Sequence, residues 1–218
     1  HVRKNNFKKI THLQNRALEL SLFLSLPAAT ALVLASEQIV TSLFGYGSFD
    51  NEAVLNSSKA LYYFALGLPS FALIKVFSTF FFANNDTKTP FYISLISVIL
   101  NICISLYYFK IIGFIIIPIA TTISSWFNAI ILFIYLKNKD LFKFNSIFFI
   151  KFLRIIFASI VMGIFFKYLI IIFGNQLVYD YNFKSFYLLL SVLLCLTLYL
   201  VVSFFINAFN YKDLKLKY

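Results

Sequence analysis

One lysine lies inside a hydrophobic segment, with two hydroxyl side chains close by. Lys75 is followed at i+3 and i+4 by Ser78 and Thr79, which places all three on one face of a helix. Burying such a charge in a bilayer costs about 2.5–3.5 kcal/mol on insertion scales, so it favours a functional role. We predict that these residues line a wet passage and contact an anionic substrate. The alternative is that the long lysine stem carries its ammonium to the bilayer surface.

A short polar turn follows this segment. Asp86, Lys88, Thr89 and Pro90 separate it from the next apolar run, and a proline suits the first turn of a helix. The first interpretation is structural: Thr89 or Thr87 caps the next helix, and Asp86 pairs with Lys88. The alternative is a gate contact that breaks and re-forms as two helical bundles rock.

Two further sets of polar residues fall within apolar runs. Asn101, Ser105 and Thr121 are expected on facing helices, where they predict either an interhelical hydrogen bond or a weak site for a coupling cation. No carboxylate accompanies them. Lys167 lies near the end of a later run, where it either anchors the helix at the bilayer surface or contributes to a lipid groove by holding a phosphate.

The residue types needed for catalysis are scarce. Both histidines, His1 and His12, lie in the polar N-terminal segment, and no carboxylate pair falls within an apolar run. The chain also lacks a glycine-rich phosphate loop, a nucleophile elbow and a zinc motif. We therefore predict that it is not an enzyme and holds no resident cofactor.

The composition predicts a membrane protein. Hydrophobic residues make up 61% of the chain and charged residues 12%, against roughly 45–50% and 25% in soluble domains. The apolar runs are continuous and about 20 residues long, which favours spanning helices over barrel strands. The net charge of +11 does not indicate nucleic-acid binding, because the basic residues mostly flank apolar runs.

The predicted fold is an all-α, polytopic bundle of six transmembrane helices. Residues 36–49 are expected to form an interfacial half-helix and a turn. The spans are 17–35, 60–83, 90–109, 114–136, 152–173 and 186–209. They divide the chain into a basic segment 1–16, four helices in 17–136, a basic linker 137–151, two helices in 152–209, and a tail 210–218.

The distribution of charge predicts the orientation. Residues 1–16, 137–151 and 210–218 are rich in lysine and arginine, and six spans place all three on one side of the membrane. By the positive-inside rule this side is the cytoplasm, so both ends of the chain are expected there. Because the chain starts at His1, without a methionine or a signal peptide, we expect it to be part of a longer protein.

Several short motifs occur together in the first half of the chain. They are Leu26-Pro-Ala-Ala, Ser42-Leu-Phe-Gly-Tyr-Gly-Ser-Phe49, Gly67-Leu-Pro, Lys75-Val, Phe82-Ala and Asp86-Thr-Lys-Thr-Pro90. This combination resembles the C-terminal half of the MurJ/MviN family, lipid II flippases of the multidrug/oligosaccharidyl-lipid/polysaccharide exporter superfamily. The resemblance covers about residues 17–137 by motif.

The resemblance implies a transporter of fourteen helices, to which this chain supplies the last four helices of the second lobe and two additional ones. Its substrate would be the lipid-linked peptidoglycan precursor, an undecaprenyl-pyrophosphate lipid, moved across the bacterial inner membrane by alternating access. The last two helices would border the undecaprenyl tail, and a cation could drive transport. Alternatives are a polysaccharide-unit or multidrug exporter of the same superfamily, and a membrane scaffold for cell-wall enzymes.

Overall fold

The computed structural model describes residues 2–208, without the side chains of residues 2–9 and 146. Within this range the chain is helical and contains no strand, so the predicted all-α class is confirmed. The predicted tail 210–218 and the last residue of the sixth span lie outside the described residues. The helices are α1 (Val2–Phe44), α2 (Asn51–Phe82), α3 (Lys88–Ile112), α4 (Ile116–Asn138), α5 (Ser146–Ile172) and α6 (Lys184–Phe205).

Helix α1 is much longer than the span predicted from hydropathy. It includes the polar residues before position 17 and continues to Phe44, with Pro27 inside it. At Ala35 the backbone leaves the helical region, with φ −126° and ψ 23°, so the predicted half-helix after residue 35 begins at a kink. The linker predicted for residues 137–151 is also shorter, because α4 ends at Asn138 and α5 begins at Ser146.

Five segments of the described chain are long and apolar enough to cross a bilayer, in place of the six spans predicted. The difference lies in Lys88–Asn138, which forms one apolar segment of 51 residues. Within it, the 3-10 turn Gly113–Ile115 separates α3 from α4, and these two helices pack against each other. Gly113 has a φ of 74°, a left-handed conformation that glycine adopts without a steric penalty.

The described residues form two compact units. Unit 1 contains residues 2–25 and 67–153, and unit 2 contains residues 26–66 and 154–208. Helices α1, α2 and α5 contribute residues to both units. The predicted division at residues 136 and 151 therefore remains a prediction about family architecture rather than a description of these units.

Each unit has its own buried side chains. In unit 1 Phe81 and Leu132 are fully buried, and phenylalanine rings from α2, α4 and the segment after α4 contact one another, as in the stacked pair Phe80–Phe142 at 5.8 Å. In unit 2 Ile155 and Phe166 of α5 are fully buried. Both units thus bury one face of each helix, while the other faces carry large apolar side chains suited to lipid.

Small and hydroxyl residues allow α2 and α4 to approach closely in unit 1. A Cβ added at Gly67 would lie 2.9 Å from the hydroxyl oxygen of Thr122. One turn further along, the hydroxyls of Ser70 and Ser125 are 2.6 Å apart, and both residues are buried. Close approach with interhelical hydrogen bonds is the usual packing of membrane helices, because lipid provides no hydrophobic drive for their association.

Candidate functional site

Lys75 lies on α2 of unit 1, as the sequence predicts. Its side chain is exposed, and it forms no hydrogen bond or ion pair with any residue that the structure describes. Ser78 is half-buried, and the Thr79 hydroxyl donates to the carbonyl oxygen of Val76 at 2.7 Å. The ammonium is therefore available to a group outside this part of the chain, which is the property that a substrate contact needs.

The turn after α2 is built around Asp86. The backbone N–H of Thr89 donates to Asp86 Oδ1 at 3.0 Å, and the Thr89 hydroxyl donates to Oδ2 at 2.8 Å. Asp86 therefore satisfies a free N–H of the first turn of α3, a role that the sequence assigned to Thr89 or Thr87. Thr87 makes no side-chain cap, and Pro90 is buried in that first turn.

The cation that pairs with Asp86 is Lys139, so the predicted pair with Lys88 is wrong. Lys139 Nζ lies 2.7 Å from Asp86 Oδ2 and 3.2 Å from the Thr89 hydroxyl oxygen. Lys88 is exposed and makes no contact of this kind within the described chain. The sequence could not distinguish the two lysines, because it does not show that the end of α4 approaches this turn.

These contacts change the acidity of Asp86. The hydrogen bond from Lys139, followed by those from the backbone and hydroxyl of Thr89, lowers the pKa of the carboxyl group from 3.8 to about 2. Each donor stabilises the charged form, and this outweighs the smaller opposing effect of desolvation. The turn therefore keeps its negative charge at any physiological pH. Whether it acts as a gate remains a prediction.

The predicted polar contact between α3 and α4 is present. Asn101 Nδ2 donates to the hydroxyl oxygens of Thr121 at 3.1 Å and Ser124 at 3.3 Å. Ser105 is half-buried and takes no part in this contact. The Thr121 hydroxyl also donates to the carbonyl oxygen of Ile117 at 2.8 Å. The geometry is that of an interhelical hydrogen bond, and a cation site at these residues remains a prediction.

Lys167 is exposed on α5 of unit 2 and makes no hydrogen bond or ion pair with another described residue. The side chains one turn before it and one turn after it, Ile164 and Ile171, are also exposed. Lys167 thus lies on an apolar face, as expected both for an anchor at the bilayer surface and for a lipid groove.

A set of amide contacts near the start of the first span has no counterpart in the prediction. Asn15 Nδ2 donates to the carbonyl oxygens of Thr11 and Lys143, both at 2.8 Å. Asn15 Oδ1 accepts the N–H of Asn145 at 3.1 Å, and Gln14 donates to Leu141 O at 2.9 Å. These two amides thus fasten the connection between α4 and α5 to α1. Two adjacent amides beside an apolar run are the signal that could have indicated such a role.

An ion pair also joins α1 to α5 within unit 1. Lys151 Nζ lies 2.7 Å from Glu19 Oε2, and the Glu19 side chain is only 8% exposed. A lone acid next to an apolar run generally needs a cation. The sequence offers several basic residues between positions 137 and 154, so it could not identify Lys151 as that partner.

Unit 2 contains a buried cation that sequence reasoning missed. Lys184, the first residue of α6, is 1% exposed and donates to the carbonyl oxygens of Gly45 and Tyr179. Its ammonium also lies 4.0 Å from the ring centroid of Tyr46 and 4.7 Å from that of Tyr179. Ser185 next to it donates to Ser42 O. Together these contacts hold the turn after α1 against the start of α6.

The sequence and this structure were then compared with known proteins. Residues 1–193 match the profile of a family described as lipid II flippase MurJ. The chain belongs to the MurJ family. A solved MurJ structure, described as a lipid II flippase in an inward closed conformation, superposes with a TM-score of 0.74 at 26% identity, over 96% of this chain and 41% of that one.

Curated relatives with the name "Probable lipid II flippase MurJ" agree with this assignment. The protein of Rhizobium meliloti is 42% identical over 132 residues, which is 61% of this chain and 25% of that protein. The protein of Rickettsia prowazekii is 35% identical over 133 residues, or 61% of this chain and 26% of that protein. The matched part of this chain therefore spans about a quarter of the length of these relatives. With its apolar helices, it is part of a multi-pass membrane protein.

Proposed function

We propose that this chain is the C-terminal part of a transporter that flips lipid II, the lipid-linked precursor of peptidoglycan, across the bacterial inner membrane. The observation that carries the proposal is the family match over residues 1–193. The structural likeness over 96% of the chain supports it. In this proposal the protein is a transporter rather than an enzyme.

The chemistry of the substrate suits the exposed groups of the chain. An undecaprenyl-pyrophosphate lipid combines a polyanionic headgroup, which requires cations in a wet cavity, with a long apolar tail. Lys75 offers an ammonium that has no partner among the described residues, on a membrane-capable helix, with Ser78 and Thr79 following it. In unit 2, Lys167 lies among exposed isoleucines of α5, a surface suited to the tail of a lipid. We assign headgroup contact to Lys75 and lipid contact to Lys167.

Alternating access is the mechanism that we infer. The name of the structural relative specifies one conformation, inward closed, and this supports a cycle between states. A contact that breaks during such a cycle has to be polar and accessible to water. The Asp86–Lys139 pair meets this requirement, with the two side chains 22% and 44% exposed. We therefore include Asp86, Thr89 and Lys139 in the gate. Lys88 and Pro90 belong to the first turn of α3 and position these residues.

A coupling cation would change the contact between α3 and α4. The amide nitrogen of Asn101 donates to the Thr121 hydroxyl, so a cation bound there would have to displace that donor and turn the amide oxygen inward. Ser105 is near enough in sequence, one helical turn from Asn101, to add a further oxygen. The weak cation site thus forms only if Asn101 reorients.

The proposed activity is tested with the intact protein in liposomes that contain fluorescent lipid II. We expect headgroups to move from one leaflet to the other only when the protein is present, as measured by their accessibility to an added membrane-impermeant quencher. A matched assay with a labelled drug distinguishes a lipid II flippase from the alternative, a multidrug exporter. Drug efflux without movement of lipid II would overturn the proposal. A scaffold would move neither molecule.

A further inference from the structure

Unit 2 contains a cavity of about 290 Å³ that none of the proposed transport residues lines. One wall of the cavity comes from α1 and consists of Glu37, Gln38 and Thr41. A second wall contains Asn51, the first residue of α2. Val54 and Leu177 contribute apolar surface. The cavity is close to the lower end of the roughly 300–1,000 Å³ typical of pockets for small organic ligands.

One wall residue has an unused hydrogen-bonding group. Thr41 is 6% exposed and lines the cavity, and its hydroxyl makes no hydrogen bond with any residue that the structure describes. This hydroxyl is therefore open to a hydrogen bond with a molecule in the cavity. The carboxylate of Glu37 and the side-chain amides of Gln38 and Asn51 add further oxygen acceptors around the same space.

The charge of the lining residues determines which sign of charge a ligand of this cavity should carry. Glu37 is its one ionisable carboxylate, and none of the described lining residues is a lysine or an arginine. The cavity therefore favours a cation. A bare metal ion would fill only a small part of the space and would gain nothing from the apolar walls.

We propose that this cavity binds a protonated primary amine carried on a larger molecule, with Glu37 as its counter-ion. An ammonium has three donors, which the Glu37 carboxylate, the Thr41 hydroxyl oxygen and an amide oxygen of Gln38 or Asn51 can accept. A carbon chain next to the amine packs against Val54 and Leu177. Two sources carry this group at a bilayer surface: the ethanolamine headgroup of a phospholipid and a free amine in the surrounding solution.

The cavity is formed before the ligand arrives. Tyr179, a further wall residue, donates from its hydroxyl to Phe49 O at 2.9 Å, and its own carbonyl oxygen accepts a hydrogen bond from Lys184. The wall from α1 is held by the bond from Ser185 to Ser42 O. A site held in this way loses little conformational freedom on binding, which favours affinity. The buried Lys184 thus fixes the position of a wall residue and does not face the ligand as part of the lining.

The test measures binding of three probes to the intact, detergent-solubilised protein by isothermal titration calorimetry. The probes are dihexanoyl phosphatidylethanolamine, dihexanoyl phosphatidylcholine and ethanolamine alone. We expect the ethanolamine lipid to bind about tenfold or more tightly than the choline lipid, because choline has no N–H to donate. Equal affinities of these two lipids would overturn the proposal.

Two variants test the site itself. Glu37→Gln is expected to reduce the affinity for the ethanolamine lipid to that for the choline lipid, whereas Glu52→Gln, a carboxylate outside the lining, leaves it unchanged. Thr41→Val keeps the shape of the wall and provides a second test if the first variant does not fold. The same loss in Glu37→Gln and Glu52→Gln would overturn the proposal. If ethanolamine alone binds as tightly as the ethanolamine lipid, the ligand is a soluble amine. If ethanolamine alone binds more weakly, the ligand is the lipid.

Discussion

Lys139 Nζ lies 2.7 Å from Asp86 Oδ2, and this ion pair joins the turn between α2 and α3 to the end of α4. Lys139 directly follows the last residue of α4, and Asp86 lies two residues before the first residue of α3. The carboxylate thus has two functions at once: it caps α3 through the N–H of Thr89 and pairs with a cation 53 residues away in the chain.

Substitutions in this pair separate its two functions. Asp86→Ala removes the cap and the pair, and we expect a loss of about 0.5–2 kcal/mol from the cap plus less than about 1 kcal/mol from the exposed ion pair. Lys139→Met keeps the cap and removes the pair, together with the contact to the Thr89 hydroxyl, and costs less than about 1 kcal/mol. The free energy of unfolding is measured by thermal or denaturant unfolding in detergent.

Lys88→Met provides the control for this series. Lys88 is the partner that the sequence suggested, but it makes no ion pair with Asp86 in the structure. We expect its substitution to leave the stability unchanged within about 0.5 kcal/mol. If Lys88→Met destabilised the protein more than Lys139→Met, the assignment of the pair would be wrong.

The lowered pKa of Asp86 predicts how this stabilisation depends on pH. The folded-state pKa of about 2 lies below the ordinary value of 3.8, so the unfolded chain binds the proton more readily. Stability from this group is therefore present above about pH 4 and is lost as the pH falls from 3.8 towards 2. The difference in melting temperature between the wild type and Asp86→Asn should shrink over this range. A difference that stays constant from pH 5 to pH 2 would contradict this prediction.

Asn15 provides a prediction about the connection between α4 and α5. It is 3% exposed and makes three hydrogen bonds, to Thr11 O, Lys143 O and Asn145 N. Asn15→Ala leaves these backbone groups without their partner, and we expect a loss of about 1–3 kcal/mol. Asn15→Asp keeps the acceptor for Asn145 but loses both donors, so it should also destabilise.

The matched control for Asn15 is Asn84→Ala. Asn84 is exposed, and its amide donates to Phe80 O within its own helix end at 2.8 Å. We expect this substitution to change stability by less than about 0.5 kcal/mol. Proteolysis at residues 139–145 offers a second measurement, because Asn15→Ala should release this connection and expose it to cleavage. Equal effects of the two alanine substitutions would show that Asn15 does not hold the connection.

Hydropathy and local motifs predict much of this fold because they report on single helices. The run around Lys75 and the turn at Asp86 are where the sequence places them, since both follow from a change between apolar and polar residues. The contact between Asn101 and Thr121 could also be predicted from the sequence, because a short turn at Gly113 makes α3 and α4 neighbours.

The sequence could not predict which residues of distant segments form ion pairs with each other. The pairs Asp86–Lys139 and Glu19–Lys151 are separated by 53 and 132 residues, and several lysines would satisfy the same charge rule. The burial of Lys184 could not be predicted for a different reason. A lysine in a polar loop is normally expected in water, whereas here two carbonyl groups and two aromatic rings replace its hydration. Only the folded backbone shows that these acceptors converge.

Lys75 provides the prediction closest to transport. Its exposed ammonium has no partner in the described chain, so a headgroup contact would be lost entirely in Lys75→Ala. We expect the rate of lipid II movement in liposomes to fall about tenfold or more, the value of one charge-assisted hydrogen bond, while Lys75→Arg retains a larger part of it. Lys59→Ala, an exposed lysine on the same helix, is the control and should leave the rate unchanged. The melting temperature of all three variants should match the wild type, because no folded contact is removed. Equal rates for Lys75→Ala and Lys59→Ala would show that the ammonium of Lys75 serves only to anchor α2 at the membrane surface.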